Sequence, residues 1–295
     1  MTVINTNVSA TLASNAVSRN ERAMSTAMER LSTGKRINSA ADDAAGLAIA
    51  SRMSSQVNSL EQAARNANDA ISMVQTVEGA GKEIVNILTR MKELATQAAT
   101  GTLSTSDKTA LNQEFTELES EITRIETNTK WNTYALLDGA DTVTVQVGAG
   151  SGQTMNIVIG DWSLAAGTTD GNANNTVYGD TDGDPNSNAP VDFQNAGDLH
   201  IGTNASDAMV ALDNMITNAS AELAKYGAYI NRLEYASDNL LNVAQNTDAS
   251  RSRIEDADYA SETSELAKTQ IIAQAGTAML AQANQIKQTV LALLQ

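Results

Sequence analysis

An apolar side chain returns at every third or fourth position through Met53, Val57, Leu60, Ala64, Ala67, Ile71 and Val74, and the stripe resumes with Ile84, Leu88, Met91, Ala95 and Ala98. A four-three alternation sustained this long reads as the seam of a coiled coil, because a repeat of 3.5 residues keeps one helix face turned to a partner. Ser39 and Asp42 fit a capping box upstream, and Gly101 fits a stop. A helix from about residue 44 to 99 would measure on the order of 80 Å, far more than a compact globule of this size needs. Two more stripes share the period. Leu111, Phe115, Leu118, Ile122 and Ile125 follow a second capping pair, Ser104 and Asp107; Met209, Leu212, Ile216, Ala219, Leu223, Tyr226, Ile230 and Leu233 come later. Three matched stripes predict a mainly α fold, a long antiparallel helical coiled-coil bundle. With only 2 Phe, 2 Trp and 6 Tyr in 295 residues, its core rests on Ala, Leu, Ile, Val and Met.

The centre has a different grammar. Both prolines, Pro185 and Pro190, and eleven of the eighteen glycines lie there. Val143, Val145 and Val147 alternate with polar residues, as do Met155, Ile157 and Ile159, and a Gly-rich run at 148–152 separates them. This predicts a β-hairpin. Residues 166–205 are rich in Asn, Asp, Gly and Thr and read as an exposed loop region or a small outer lobe. From Trp131 to Ala224 there is no Lys or Arg, and twelve of the sixteen net negative charges fall in that stretch. An acidic chain is repelled by phosphate backbones, which argues against nucleic acid as a partner. No segment approaches the length needed to span a membrane, and no cleavable leader is visible at the N-terminus.

The two ends constrain function most. Residues 1–18 carry no charged side chain, and residues 269–295 carry one, Lys287. Ile4, Val8 and Leu12 step by four at the start; Ile272, Gly276, Met279, Ala283, Ile286, Val290 and Leu293 keep the four-three spacing at the finish. Their other faces hold Gln, Asn, Thr, Ser and Ala, whereas an ordinary surface helix turns charge to water. One reading docks a terminal helix on its own core. The other buries both ends among neighbouring subunits, where neutral amide faces avoid the desolvation cost of buried charge. The second is preferred because the feature occurs at both ends.

Several motifs, taken in order, resemble bacterial flagellins. They are Val3-Ile4-Asn5-Thr6-Asn7, the run 29–40 (ERLSTGKRINSA), Asp42-Asp43-Ala44-Ala45-Gly46, the run 64–69 (ARNAND), Ser252-Arg253-Ile254-Glu255-Asp256, Gln274-Ala275-Gly276, the run 280–285 (LAQANQ) and the final 290–295 (VLALLQ). The resemblance covers about residues 1–138 and 200–295. It implies a structural subunit of the flagellar filament, self-assembling through its terminal helices for swimming motility, secreted by type III export to the extracellular filament. The terminal segments would be disordered in the monomer and form an inner tube, with Ile4, Val8, Leu12, Ile272, Met279, Ile286, Val290 and Leu293 as core-packing residues. The organisation expected is a filament-core segment 1–43, bundle halves 44–138 and 204–250, a hairpin and exposed insert 139–203, and a C-terminal core helix 251–295. Implied partners are further copies of the chain, an export chaperone on the C-terminal segment, and filament cap and junction proteins. A host Toll-like receptor is implied at Arg90, Leu94 and Glu114. A hook–filament junction or other filament-associated protein of the same export system is the alternative.

Other chemistries find little footing. His200 is the only histidine and there is no cysteine, so thiolate sites and a His-based catalytic group lack material. No catalytic, cofactor or metal residue is assigned. Asp180, Asp182 and Asp184 open like a calcium loop, but Pro185 and Val191 stand where Gly and Glu are required; the reading is a solvated acidic loop. The Gly-rich run lies between strands rather than before a helix, which is not a phosphate cradle. Asn174, Asn204 and Asn218 match the Asn-linked glycan pattern, which carries little weight in a bacterial chain.

Overall fold

A computed structural model describes residues 7–139, 141–162 and 205–292. Ile4, Leu293, His200, the 180–184 loop, Asn174 and Asn204 lie outside the described residues, as do the side chains of Ile286 and Val290. The described chain is mainly helical, in the order α1 (Val8–Thr33), α2 (Ala44–Ala98), α3 (Thr105–Asn128), β1 (Lys130–Trp131), β2 (Tyr134–Ala135), β3 (Asp141–Gln146), β4 (Thr154–Ile159), α4 (Ala205–Glu255) and α5 (Tyr259–Ala292). It divides into two compact units. One combines the described parts of 1–58 and 244–295, and the other is 59–243. The divisions fall inside α2 and α4.

In the second unit the predicted stripes meet. Val74, Ile84, Leu88, Met91, Ala95 and Ala98 of α2, Phe115 and Ile122 of α3, and Leu212, Ala219, Tyr226 and Leu233 of α4 belong to one buried cluster. Leu111, Leu118, Ile125, Ile216, Leu223 and Ile230 are half-buried against it. Met73, Val77 and Leu94 are buried too, so the inward face of α2 is wider than an a/d seam, as a helix facing two partners requires. The Ser104–Asp107 capping box is present, with each side chain bonded to the other's backbone N–H; hydrogen bonds from the Ser104 hydroxyl and then from its backbone N–H hold the Asp107 carboxyl below its ordinary pKa. The other expected box is different. Asp42 accepts from the backbone N–H groups of Asn38 and Ser39 and from the Ser39 hydroxyl, closing a turn before the helix. The cap of α2 is Asp43, whose Oδ1 accepts the Gly46 N–H at 2.9 Å.

The hairpin forms in the expected pleat. Val143 faces Ile157 and Val145 faces Met155; Val145, Ile157 and Ile159 are buried, while Thr142, Thr144 and Asn156 are exposed. Sequence reading missed the short β1–β2 hairpin. Asn132 and Thr133 between its strands both have positive φ, 46° and 70°, the backbone of a two-residue turn matched to strand twist. It also missed Trp162, which is fully buried with Tyr226. The Trp162 indole N–H donates to the Tyr226 hydroxyl at 3.0 Å, and the Gly160 N–H donates to the same oxygen at 3.3 Å. Room for the indole comes from Gly81, where a Cβ would stand 3.0 Å from the Trp162 ring and 2.9 Å from Leu223.

Burial pushes the Tyr226 phenol up to about 12, above its ordinary value of about 10. The folded unit holds that proton more tightly than the unfolded chain. The associated stability is therefore complete below about pH 10 and is lost as pH rises toward 12. Tyr226→Phe removes an acceptor used by two N–H donors and is expected to lower stability by about 1–3 kcal/mol at neutral pH. Urea unfolding should also show a shallower decline for the variant than for the parent across pH 10–12.

Candidate assembly surface

The first unit is built on the terminal helices. Asn7 caps α1 by accepting the Ala10 N–H on its side chain at 3.2 Å. The other end stops at Gly34, whose left-handed backbone (φ 72°) returns its N–H to the Arg30 carbonyl. Helix α5 runs antiparallel to α1, as three cross-contacts fix. The Asn7 amide donates to the Ala283 carbonyl at 3.4 Å, the Asn20 amide to the Thr269 carbonyl at 2.7 Å, and Arg30 pairs with Glu262 at 3.0 Å.

The seam is a heptad rich in small residues. The less exposed positions are Ala10, Ala13, Val17, Asn20, Met24 and Ala27 on α1, and Leu266, Thr269, Ala273, Gly276, Leu280 and Ala283 on α5. Small side chains let two backbones approach closely, most of all at Gly276, where a Cβ would stand 2.7 Å from a Val17 methyl. The stripe read from sequence shares Gly276 and Ala283 with this seam, but its large members lie one position to the side. Ile272 is 45% and Met279 is 67% exposed, and on α1 Val8 is 64% and Leu12 is 66% exposed. The terminal helices thus dock on each other through a seam rich in small residues, joined by Val17, Met24, Leu266 and Leu280, and leave Val8, Leu12, Ile272 and Met279 in water.

The connections at the base of the pair are tied together. The Arg36 N–H donates to the Glu255 carbonyl at 2.7 Å, its guanidinium donates to the Ile254 carbonyl at 2.7 Å, and the Ala257 N–H donates to the Gly34 carbonyl at 2.9 Å. Lys35 and Glu255 form an ion pair. Gly46 is needed nearby, since a Cβ there would fall 2.6 Å from the Ile37 Cδ1. The segments 29–40 and 252–256, noted separately in the sequence, are the two sides of this tie.

The three residues proposed for a receptor patch lie in the second unit and part company. Arg90 donates to Glu114 from Nε at 3.1 Å and from Nη2 at 2.9 Å, and from Nη1 to Glu93 at 3.0 Å. Hydrogen bonds to these carboxylates, Glu114 first, raise the guanidinium pKa above its ordinary value. Arg90 and Glu114 are exposed, but Leu94 is 1% exposed and belongs to the core. The two α2 residues, one turn apart, therefore do not share an accessible face, because α2 packs on both α3 and α4. Among the described residues no group of three His, Asp or Glu could hold a metal ion, and no helix is long and apolar enough to cross a membrane.

Comparison with known proteins falls on these segments. Residues 4–142 match the bacterial flagellin N-terminal helical region, and residues 209–294 match the bacterial flagellin C-terminal helical region. A flagellin of Halalkalibacterium halodurans is 43% identical over 91% of both chains. A flagellin of Xenorhabdus nematophila is 42% identical over 99% of both. The crystal structure of Bacillus cereus flagellin superposes with a TM-score of 0.44 and 27% identity, over 60% of this chain and 88% of that one.

Glu262→Ala should loosen the helix pair, because it leaves Arg30, whose side chain is only 29% exposed, without its carboxylate partner. A half-buried pair of this kind contributes about 1–2 kcal/mol. Hydrogen exchange should quicken by about tenfold in peptides from α1 and α5, with peptides from α3 unchanged.

Proposed function

Because the chain belongs to the bacterial flagellin family and is a self-assembling structural subunit of the extracellular flagellar filament, not an enzyme, we propose that its α1–α5 pair is the element that packs against neighbouring copies. The supporting observation is the division of labour between small seam residues and large exposed ones. Fully burying an isoleucine or methionine side chain contributes about 1.5–3 kcal/mol. Ile272 and Met279 on α5, with Val8 and Leu12 on α1, hold that contribution in reserve until a neighbour covers them. The paired conformation is then the one taken in the filament, where water no longer meets the apolar row. Ile4, Ile286, Val290 and Leu293 extend the same packing role by sequence.

The near absence of charge fits this role. A carboxylate buried at a contact among neutral faces would find few cationic partners, with Lys287 the only basic side chain in residues 269–295. The segments 1–43 and 251–295 serve as filament core, 44–138 and 204–250 as the surrounding bundle, and 139–203 as the solvent-facing insert. Export is by the flagellar type III route, with a chaperone on the C-terminal segment beforehand and with cap and junction proteins at the filament ends. A host Toll-like receptor reading the bundle would meet the Arg90–Glu114 pair, with Leu94 supporting it from beneath.

Met279→Asp tests the central element. The side chain is exposed in the single chain, so the melting temperature should not change. On assembly the carboxylate loses water, which costs several kcal/mol when unpaired. A cost of about 3 kcal/mol per subunit raises the critical concentration roughly two orders of magnitude. Sedimentation of polymerisation reactions measures it, with Thr176→Asp in the acidic central stretch as the control that assembles normally. A Met279→Asp chain with the parent's critical concentration would remove Met279 from the contact.

A further inference from the structure

A seam rich in alanine and glycine carries a weak register signal. Moving α5 along α1 by one heptad exchanges Ala273 for Leu280 or Leu266 and Gly276 for Ala283 or Thr269, and a largely apolar stripe still faces α1. Yet if the large apolar residues beside the seam are to meet a neighbour, they must stand at one height along the pair. Between the Asn7–Ala283 and Arg30–Glu262 contacts near its two ends, two features in the middle of the α1–α5 contact supply what the alanines do not.

The first is steric. Val17 is branched at Cβ and sits over the bare backbone of Gly276, with a methyl 2.7 Å from where a Cβ would be. Gly276 is the only glycine of α5. One heptad in either direction brings Thr269 or Ala283 under Val17, and either side chain would overlap it. The second is polar. Asn20 is buried in the seam and donates its amide to the Thr269 carbonyl at 2.7 Å. The Thr269 hydroxyl folds back onto the carbonyls of Glu265 and Leu266, so the buried threonine brings no competing donor. A single buried amide in an otherwise apolar seam is a known device for fixing register at a cost in stability. Asn20 lies one turn from Val17, and Thr269 lies two turns from Gly276, so the two devices form one compact key.

We propose that Val17 seated on Gly276, together with the Asn20 amide on the Thr269 carbonyl, sets the single register in which α1 pairs with α5. These are positioning residues: set within the seam, they decide at what height Leu12, Ile272 and Met279 are presented. That consequence rests on the assembly role proposed for the pair; the register itself does not.

The chain has no cysteine, so spin labels can be placed by Ser14→Cys and Ser264→Cys, both exposed positions of the first unit. In the observed register these levels are about 20 Å apart along the pair, and a heptad slip changes that by about 10 Å. The labelled full-length chain is copolymerised as a minor fraction with excess unlabelled chain, and the distance distribution is measured by pulsed electron resonance. The parent should give one distance. Gly276→Ala combined with Asn20→Leu should give a second population displaced by about 10 Å, with each single variant showing it in part. A double variant that enters the filament with the parent's single distance overturns the proposal. So does a double variant that the filament rejects, since the two residues would then serve pairing itself and not its register. Failure of the labelled parent to polymerise counts against the assembly role instead, and the distances are then read on the free chain.

Discussion

Val17 resting on the bare backbone of Gly276 is the contact from which the rest of the terminal unit follows. Where Val17 meets Gly276 the two backbones come close, and the seam is rich in Ala and Gly, with Met24, Leu266 and Leu280 its larger members. Leu12, Ile272 and Met279 are left exposed by that geometry. Larger seam residues would have separated the helices and covered more apolar surface within one chain. The same contact therefore stabilises the pair and leaves it unfinished, which is a useful state for a subunit whose remaining apolar surface is to be covered by copies of itself.

The second unit follows the opposite rule. Its seam positions hold large residues, among them Ile84, Leu88, Met91, Phe115, Ile122, Leu212 and Leu233, and all are buried within the chain. Two of its aromatics close a gap: Trp162 lies over Gly81 and shares the Tyr226 hydroxyl with Gly160. Charge follows the same division. The ion pairs Arg90–Glu114, Arg124–Glu121 and Lys225–Glu222 decorate this unit, whereas Arg30–Glu262 and Lys35–Glu255 sit at the base of the terminal pair. From Asn7 to Ser18 and from Thr269 to Ile286 no side chain is charged.

Periodicity made the bundle legible, because one large aliphatic residue per half-heptad has a single physical reading. It was less informative at the ends. The sequence stripe ran through Ile272, Gly276, Met279 and Ala283, whereas the seam runs through Ala273, Gly276, Leu280 and Ala283; in a segment without charge the two have the same period, and nothing in the sequence separates them. Leu94 was placed with Arg90 by the family resemblance, and their spacing one turn apart cannot register that α2 is covered on two sides. The Asn132–Thr133 turn escaped notice because it lacks glycine. The Asp43 cap was hidden by the neighbouring Asp42, which offered the same chemistry one residue earlier.

The central claim is that apolar side chains exposed in the single chain become buried when subunits assemble. Hydroxyl-radical footprinting read by mass spectrometry measures this on the unmodified protein, comparing free chain with filament. Met279, Ile272 and Leu12 should react readily in the free chain and fall to the level of the buried Leu88 in the filament, while Tyr134 of the second unit keeps most of its reactivity. If Met279 and Ile272 react in the filament as they do in the free chain, the terminal pair does not make its subunit contacts through this face, and the exposed row has some other purpose.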